Sequence, residues 1–148
     1  MISKWDIRYM NLAKEISTWS KDSSTRLGAV AIKDKRILST GFNGFPRGIE
    51  DSDNRLNDRE LKYGMIVHAE QNCIYNATYH GLSLKDSDIF VYGLPICNDC
   101  AKGIIQVGIK RVIMTKIRED DKWNESWNIT KQMFDEVGIE YEFLELYK

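Results

Sequence analysis

The order of hydrophobic patterns along the chain predicts an α/β fold in which helices cover both faces of a mixed sheet of about five strands, a three-layer arrangement. The first apolar segment has a helical period, and two strand-like segments follow it with only a short polar turn between them. From there, helical and strand patterns alternate to the end of the chain. We see no internal repeat and no linker, so residues 1–148 are predicted to form a single domain.

The first predicted element is an amphipathic helix that ends near Ser20. Its apolar face is made by residues spaced three and four apart, which is the period of one side of a helix: Trp5, Tyr9, Leu12, Ile16 and Trp19. A buried strand near 29–32 and a second strand near 36–41 follow, joined by a tight turn at 33–35. Two strands this close together form a hairpin.

The next segment, residues 42–67, is rich in Gly, Pro and polar side chains and is predicted to leave the core as a long loop. Long ordered loops inside a compact domain are usually functional. The pattern becomes helical again from Val67, and Gly81 is suited to cap the C-terminus of this helix.

The last part of the chain predicts two further helices and three strands. A strand at 88–94 is followed by a short helix that Gly108 stops, and then by a strand over 110–115. A final helix ends at Gly138, and the alternating tail after it predicts the last strand. The apolar face of that helix is predicted to consist of Trp123, Trp127, Thr130, Phe134 and Val137.

Composition and charge exclude several classes of protein. Lys and Arg number 21 against 22 Asp and Glu, a formal net charge of −1, so no basic surface for duplex DNA or structured RNA is expected. The longest apolar run, 27–32, is far shorter than the ~20 residues that span a bilayer. The N-terminal segment is charged, unlike a secretory signal, and three cysteines are too few for a disulfide framework. We therefore expect a cytoplasmic protein.

Two predicted helix starts carry the residues suited to metal chemistry. His68 opens the triplet His68, Ala69 and Glu70, and Cys97 and Cys100 form a CxxC pair at a strand-to-helix junction. One imidazole and two thiolates suit zinc and leave the fourth corner of a tetrahedral site open for water. The partial positive charge at a helix start also favours thiolate over thiol.

A hydrolytic deamination would use this arrangement. An open zinc site lowers the pKa of its bound water to about 7, and Glu70, which is not needed as a ligand, is suited to move protons from that water to the ring nitrogen and to departing ammonia. H-x-E followed by P-C-x-x-C is the signature of zinc deaminases that act on cytosine or adenine. Here Ile96 separates Pro95 from Cys97, which keeps the cysteine spacing and changes the local turn.

Two other interpretations of the CxxC pair are weaker. A thioredoxin-like redox pair would follow a βαβ opening, which this sequence lacks. A closed structural zinc site would need a fourth ligand, and Cys73 and His80 are the only candidates. We expect Cys73 to be a small core residue and His80 to be a surface residue near a helix C-terminus.

The chain resembles the deoxycytidylate (dCMP) deaminases of the cytidine deaminase superfamily in STR, GAVAIKDKRILSTGFNGFPRG, HAEQNCIYNA and PICNDCAKGIIQVGIKRV. The resemblance covers roughly residues 20–115 and implies a cytidine-deaminase-like α/β/α fold. It implies that His68, Cys97 and Cys100 bind the catalytic zinc and that Glu70 transfers protons. The implied reaction converts dCMP to dUMP and ammonia in pyrimidine deoxynucleotide metabolism.

The same resemblance implies the substrate-binding residues Ser24, Arg26, Asn43 and Ala69. Asn43 matches the asparagine of the family's GYNG motif and is expected to hold the deoxyribose hydroxyl or to fix the base. Ser24 and Arg26 precede the first core strand, where a bidentate guanidinium would suit the 5'-phosphate. The alternatives are a surface ion pair for Arg26 and a turn-forming role for Asn43.

The resemblance also implies regulation and assembly. Members of this family are commonly hexamers that dCTP activates and dTTP inhibits, with Mg²⁺ on the phosphates. The implied regulatory site lies in the glycine-rich loop 41–48, at Asn43, Gly44, Arg47 and Gly48. Glycines there would let backbone N–H groups approach phosphate oxygens, and Arg47 would add charge. A plain turn-rich connection is the alternative.

Beyond Thr115 the sequence departs from the family pattern, and we expect Arg118 and Trp123 to reshape the substrate contacts. Two hypotheses compete with dCMP deamination. A tRNA adenosine deaminase, or a deaminase of another nucleoside or nucleobase, shares the zinc ligands, but the near-zero net charge argues against an RNA substrate. The second competing hypothesis is a non-catalytic nucleotide sensor, and the intact Glu70 argues against it. The expected partners are a nucleotide substrate, dCTP and dTTP, without a membrane or a nucleic-acid polymer.

Overall fold

The computed structural model of the chain describes residues 1–115 and 124–146. Its strands are β1 (Gly28–Lys33), β2 (Arg36–Phe42), β3 (Asp88–Tyr92), β4 (Arg111–Thr115) and β5 (Glu140–Leu144). Its helices are α1 (Lys4–Ser17), α2 (Asp53–Asn57), α3 (Arg59–Met65), α4 (Ala69–Tyr79), α5 (Asn98–Gln106) and α6 (Asn124–Val137). No helix in the described ranges is both long and apolar enough to cross a bilayer.

The five strands form one mixed sheet in the order β2-β1-β3-β4-β5. β1 runs antiparallel to both β2 and β3, while β3, β4 and β5 run parallel to one another. This confirms the predicted hairpin and the mixed sheet of about five strands.

Side chains alternate between the two faces of the sheet and fill two apolar layers. Val30, Phe90 and Ile113 face α1, and their neighbours Ala29, Val91 and Val112 pack in the other layer with residues of α4, α5 and α6. The sheet therefore lies between α1 on one face and three helices on the other, as predicted.

The predicted apolar face of α1 is confirmed in part: Ile16 is buried, and Tyr9 and Leu12 are half-buried against the core. Asp6, Met10 and Ala13 are buried, whereas Trp19 lies beyond the end of the helix and is 57% exposed. Asp6 points inward and pairs with Arg111 of β4, at 2.8 Å between Oδ2 and Nη2, so the buried side of α1 includes a charged residue. Periodicity of apolar residues alone does not detect a buried ion pair.

The segment 42–67, predicted as a loop, contains the two short helices α2 and α3. The hydroxyl of Ser52 accepts a hydrogen bond from the N–H of Arg55, and the carboxylate of Asp58 accepts one from the N–H of Leu61, so each helix has an N-terminal cap. Neither helix has a buried residue. Because neither α2 nor α3 packs a side chain into the core, neither needs the apolar face that predicts a helix from sequence.

The last helix, α6, buries Trp127, Thr130 and Phe134 as predicted. Val137 is 51% exposed, so its assignment to the apolar face was wrong: the final turn of α6 extends past the layer that the helix covers. Trp123 and Arg118 lie outside the described residues.

Candidate metal and catalytic site

The predicted zinc ligands all lie at the N-termini of two helices. His68 is the N-cap residue of α4, Cys97 is the N-cap residue of α5, and Cys100 lies in the first turn of α5. α4 and α5 pack in the same layer against the sheet, so their N-termini bring the three side chains together.

The distances between the three side chains fit a tetrahedral zinc site. Nδ1 of His68 lies 3.3 Å from Sγ of Cys100 and 3.5 Å from Sγ of Cys97. With Zn–N near 2.0 Å and Zn–S near 2.3 Å, a nitrogen and a sulfur ligand are about 3.5 Å apart. The donor set and these distances therefore fit a zinc ion held by three protein ligands.

The fourth group of the cluster is the carboxylate of Glu70. Its Oε1 lies 3.7 Å from Nδ1 of His68, its side chain is 4% exposed, and the possible ligand atoms of all four residues lie within 4.8 Å of one another. Burial raises the pKa of Glu70 above its usual value, against the opposing attraction of His68. A carboxyl group with a raised pKa is better matched to proton transfer near neutral pH.

The two cysteines lie so close together that the thiolate of one makes the other harder to ionise. A hydrogen bond from the thiol of Cys100, together with His68, lowers the pKa of Cys97 to about 4. The same neighbouring thiolate and burial raise the pKa of Cys100. A divalent cation between them favours both thiolates, so the electrostatics of the pair also fit a metal ion.

The two candidates for a fourth protein ligand lie outside this cluster. Cys73 is fully buried in the core; its thiol donates a hydrogen bond to the carbonyl of Ser39 at 3.5 Å, and burial raises its pKa to about 12. His80 is exposed at the C-terminus of α4. Neither joins the metal-ligating group found in the described part of the chain. The positions predicted for both residues are confirmed.

The predicted substrate residue Asn43 is buried and its side-chain amide bridges two backbone groups. Oδ1 accepts a hydrogen bond from the N–H of Leu27 at 2.8 Å, and Nδ2 donates one to the carbonyl of Thr25 at 2.8 Å. Asn43 therefore fixes the end of β2 against the segment that precedes β1. Ala69, also predicted to bind substrate, is fully buried at the start of α4.

Ser24 and Arg26, the predicted phosphate contacts, lie in the segment that Asn43 holds. The hydroxyl of Ser24 donates to Oδ1 of Asp22 at 2.9 Å, and Nε of Arg26 donates to the carbonyl of Asp22 at 3.3 Å. Arg26 is exposed. The contact that the structure describes for its guanidinium is with the backbone carbonyl of Asp22, whereas the alternative prediction was a surface ion pair with a carboxylate.

The sequence analysis missed Lys62, which lies beside these residues. Its Nζ donates to Oγ of Ser24 at 2.9 Å and lies 3.3 Å from Oδ1 of Asp22, and its side chain is only 12% exposed. Burial raises the pKa of Asp22, but hydrogen bonds from Ser24, Thr25 and Lys62 outweigh this and hold that pKa below its usual value. Lys62 belongs to α3, in the segment predicted as a loop, and no motif marks it.

Two of the residues predicted to regulate the protein, Gly44 and Arg47, contact the chain near the start and near the end of α4. Gly44 exchanges two backbone hydrogen bonds with Val67, at 3.1 and 2.8 Å. The guanidinium of Arg47 donates to Oδ1 of Asn76 and lies 4.3 Å from the ring centroid of Tyr79, a cation–π contact. Gly48 is exposed with φ +83°.

This fold and site define the class of zinc-binding deaminases, in which a carboxylate lies beside one imidazole and two thiolates. Residues 3–116 match the family model described as the cytidine and deoxycytidylate deaminase zinc-binding region, and the chain belongs to this family.

Comparisons with known proteins agree over nearly the whole chain. An uncharacterized deaminase from the luxG 3' region of Aliivibrio fischeri is 42% identical, with 99% of this chain and 97% of that protein covered. A probable deoxycytidylate deaminase of Drosophila melanogaster is 35% identical, with 93% and 70% covered. The crystal structure of the dCMP deaminase of cyanophage S-TIM5 with dCMP and dUMP is 25% identical, with a TM-score of 0.76 and 97% and 99% covered.

Proposed function

We propose that this protein catalyses the zinc-dependent hydrolytic deamination of dCMP to dUMP and ammonia, as a single deaminase domain. The observation that carries the proposal is the convergence of His68, Cys97 and Cys100 beside the buried carboxylate of Glu70. The relatives named deoxycytidylate deaminase and the phage enzyme with bound dCMP and dUMP support this choice of substrate.

Zinc held by His68, Cys97 and Cys100 would supply a Lewis acid that acidifies water. In the reaction, the water oxygen bonds to C4 of the cytosine ring, N3 gains a proton, and the C4–N4 bond breaks as the amino group leaves as ammonia. Glu70 takes one proton from the attacking water and delivers it to N3, and it then carries the proton of the resulting C4 hydroxyl to the leaving amino group, so that C4 becomes the carbonyl of uracil. Because Glu70 is buried, its protons exchange with the substrate rather than with bulk solvent.

Ser24, Arg26, Asn43 and Ala69 are proposed to bind the nucleotide. Ser24 and Arg26 offer a hydroxyl and a guanidinium to the 5'-phosphate, and the neighbouring ammonium of Lys62 adds positive charge. Asn43 holds together the two segments that would surround the sugar and the base.

We also propose that dCTP activates and dTTP inhibits the enzyme, with Mg²⁺ on the triphosphate. Arg47 and the exposed, open Gly48 are suited to contact phosphate oxygens near Asn43 and Gly44. We also propose that the chain assembles into a hexamer, as its resemblance to the dCMP deaminases implies. The exposed rings of Trp19 and Phe42, whose centroids lie 6.3 Å apart, offer apolar surface for a contact between subunits. A cytoplasmic location stays a prediction.

Initial rates with dCMP, cytidine and dCTP test the substrate. We expect kcat/KM for dCMP to exceed that for cytidine by about 10- to 100-fold, because each hydrogen bond to a charged group contributes about 1.5–3 kcal/mol. Arg26→Ala should lower kcat/KM for dCMP and leave the cytidine rate unchanged. Arg8→Ala, which removes an exposed arginine stacked on Trp5 of α1, on the face of the sheet opposite α4, should change neither. Equal rates for cytidine and dCMP, or tight and salt-sensitive tRNA binding, would contradict the proposed substrate.

Rates of dCMP deamination with dTTP or dCTP, each with and without Mg²⁺, test the regulation. We expect dTTP with Mg²⁺ to inhibit, dCTP with Mg²⁺ to activate, and Arg47→Ala to raise the required effector concentration about 10-fold. Arg59→Ala is the matched control, because Arg59 is an exposed arginine stacked on Tyr63. An enzyme that ignores both triphosphates would contradict the proposal.

A further inference from the structure

Both peptide groups that flank Cys97 are held by hydroxyl groups of α6. Oγ1 of Thr130 donates a hydrogen bond to the carbonyl of Ile96 at 3.0 Å. Oγ of Ser126 accepts one from the N–H of Asn98 at 2.9 Å and donates one to Oδ1 of the same residue at 2.7 Å. Ile96, the residue that interrupts the P-C-x-x-C pattern, and Thr130 are both fully buried.

These hydrogen bonds satisfy groups that have no partner within α5. The N–H of Asn98 belongs to the first turn of α5, where a helix leaves its N–H groups unpaired. The carbonyl of Ile96 is in the core, where an unpaired acceptor is costly. The peptide groups before and after Cys97 are thus oriented by side chains from a single helix.

α6 is itself firmly placed in the core, so it is a rigid support for this loop. Trp127 lies between Ser126 and Thr130 in sequence and is 7% exposed, and its ring centroid lies 5.5 Å from that of Tyr141 and 5.1 Å from that of Phe143. Phe134 is fully buried one helical turn beyond Thr130. The family match ends at residue 116, so it assigns no role to α6.

We propose that Ser126 and Thr130 are positioning residues that set the place of Cys97 in the zinc site. Thr130 anchors the extra residue Ile96, and Ser126 anchors Asn98, so that Sγ of Cys97 stays within zinc-ligand distance of His68 and Cys100. Groups that orient a metal ligand typically change metal affinity by about 10- to 100-fold when they are removed. The proposal rests on the zinc site of the proposed function.

Zinc affinity, measured by competition with a chelator, tests the proposal. Thr130→Val keeps the shape of the side chain and removes the hydroxyl, and Ser126→Ala removes the other hydroxyl. Each of these two variants should weaken zinc binding about 10-fold or more. Thr130→Ser keeps the hydroxyl donor and should bind zinc as tightly as the unmodified protein. With Co²⁺ in place of zinc, the visible absorption bands should shift in Thr130→Val and Ser126→Ala and not in Thr130→Ser.

Ser87→Ala is the matched control, because it removes a buried hydroxyl that donates to a backbone carbonyl far from the cysteine loop and so shows the effect of losing such a hydrogen bond on stability alone. Ser87 is fully buried and its hydroxyl donates to the carbonyl of Leu84 at 2.6 Å, at the opposite end of β3 from the cysteine loop. It should lower Tm and leave zinc affinity and the cobalt spectrum unchanged.

The outcomes separate this proposal from the zinc site itself. If Thr130→Val and Ser126→Ala bind zinc as tightly as the unmodified protein, with the same cobalt spectrum and only the lower Tm of Ser87→Ala, the positioning role is wrong. Should Thr130→Val fail to fold, Ser126→Ala decides by the same two readouts. Failure of the zinc site looks different: the unmodified protein would bind no zinc, or Cys97→Ala would bind it equally well.

Discussion

Gly41 of β2 packs directly against Ala69 at the start of α4: a Cβ added to Gly41 would stand 2.4 Å from the carbonyl oxygen of Ala69. The same Cβ would lie 2.4 Å from the backbone nitrogen of Cys73, one turn further along the helix. Ala69 lies between His68 and Glu70, so this close approach sets where the N-terminal end of α4 rests on the sheet.

Gly41→Ala is therefore expected to lower the free energy of unfolding by about 2 kcal/mol, because the clash is with backbone atoms that have little room to move. Unfolding in urea measures the change. Gly64→Ala is the control: Gly64 lies inside α3 with nothing within 4 Å of an added Cβ, so stability should stay equal or rise by up to about 1 kcal/mol. Equal stability of Gly41→Ala and the unmodified protein would contradict the described packing.

A second prediction concerns the ion pair of Asp6 and Arg111, which joins α1 to β4. Its two hydrogen bonds measure 3.0 and 2.8 Å, and both side chains are largely buried. Asp6→Asn removes the nearest carboxylate of Arg111 and leaves only the longer contacts with Asp88 at 3.4 Å and Glu142 at 3.9 Å, so it should lower the free energy of unfolding at pH 7 by about 2 kcal/mol. Asp51→Asn, which breaks the exposed pair with Lys21, should cost less than about 1 kcal/mol. Similar losses in both variants would contradict the account.

The same pair predicts a pH dependence of stability. Burial raises the pKa of Asp6, but hydrogen bonds from Arg111 and Ser3 outweigh it and hold that pKa below its usual value. Because the unfolded chain then binds protons more readily, the stabilisation is complete above about pH 5 and is lost as the pH falls through the folded-state pKa.

The stability difference between the unmodified protein and Asp6→Asn, measured in urea from pH 3 to pH 7, removes the contributions that the two proteins share and leaves those of Asp6 and of the groups it contacts. The pKa of Asp88 in the same cluster is raised by burial, and Glu142 lies 3.9 Å from Arg111, so the whole-protein profile mixes several groups. We expect the difference in free energy of unfolding between the two proteins to shrink as the pH falls. A difference that grows toward low pH would contradict a lowered pKa of Asp6.

Cys73 provides a prediction on reactivity. Its pKa is raised to about 12 by burial, and the thiolate is the reactive form, so Cys73 should not react with iodoacetamide in the folded protein at pH 7 to 8. Cys97 and Cys100 should be protected by zinc and should become reactive after treatment with a chelator. Mass spectrometry of labelled peptides measures each site. Labelling of Cys73 before unfolding would show that the core around Ser39 is more open than described.

The sequence predicted the sheet and the main helices because each has a strong local signal. β1 is a continuous apolar run, and Gly81 and Gly108 follow the helices α4 and α5 that they were predicted to end. The place of Asp6 on the buried side of α1 was missed because its pairing with Arg111 spans 105 residues and leaves no local pattern.

The metal cluster was predictable for a similar reason. The spacing of His68 and Glu70, and of Cys97 and Cys100, places each pair within one turn of a helix start. The sequence did not show that the N-termini of these two helices lie next to each other in the fold. Lys62 and Ser126 could not be predicted, because each acts on a segment 28 or more residues away through one hydrogen-bonding atom. Nothing in the sequence distinguishes them from other surface lysines and serines.

Deamination of dCMP by Glu70→Ala, with the zinc content of the same sample measured, tests the central claim most directly. We expect the variant to keep its zinc and to lose about 10²- to 10⁴-fold in kcat, because the proton-transferring carboxylate is gone while the ligands His68, Cys97 and Cys100 remain. Glu60→Ala, at an exposed glutamate of α3, should keep full activity. A zinc-loaded Glu70→Ala protein that deaminates dCMP at the rate of the unmodified enzyme would contradict the account.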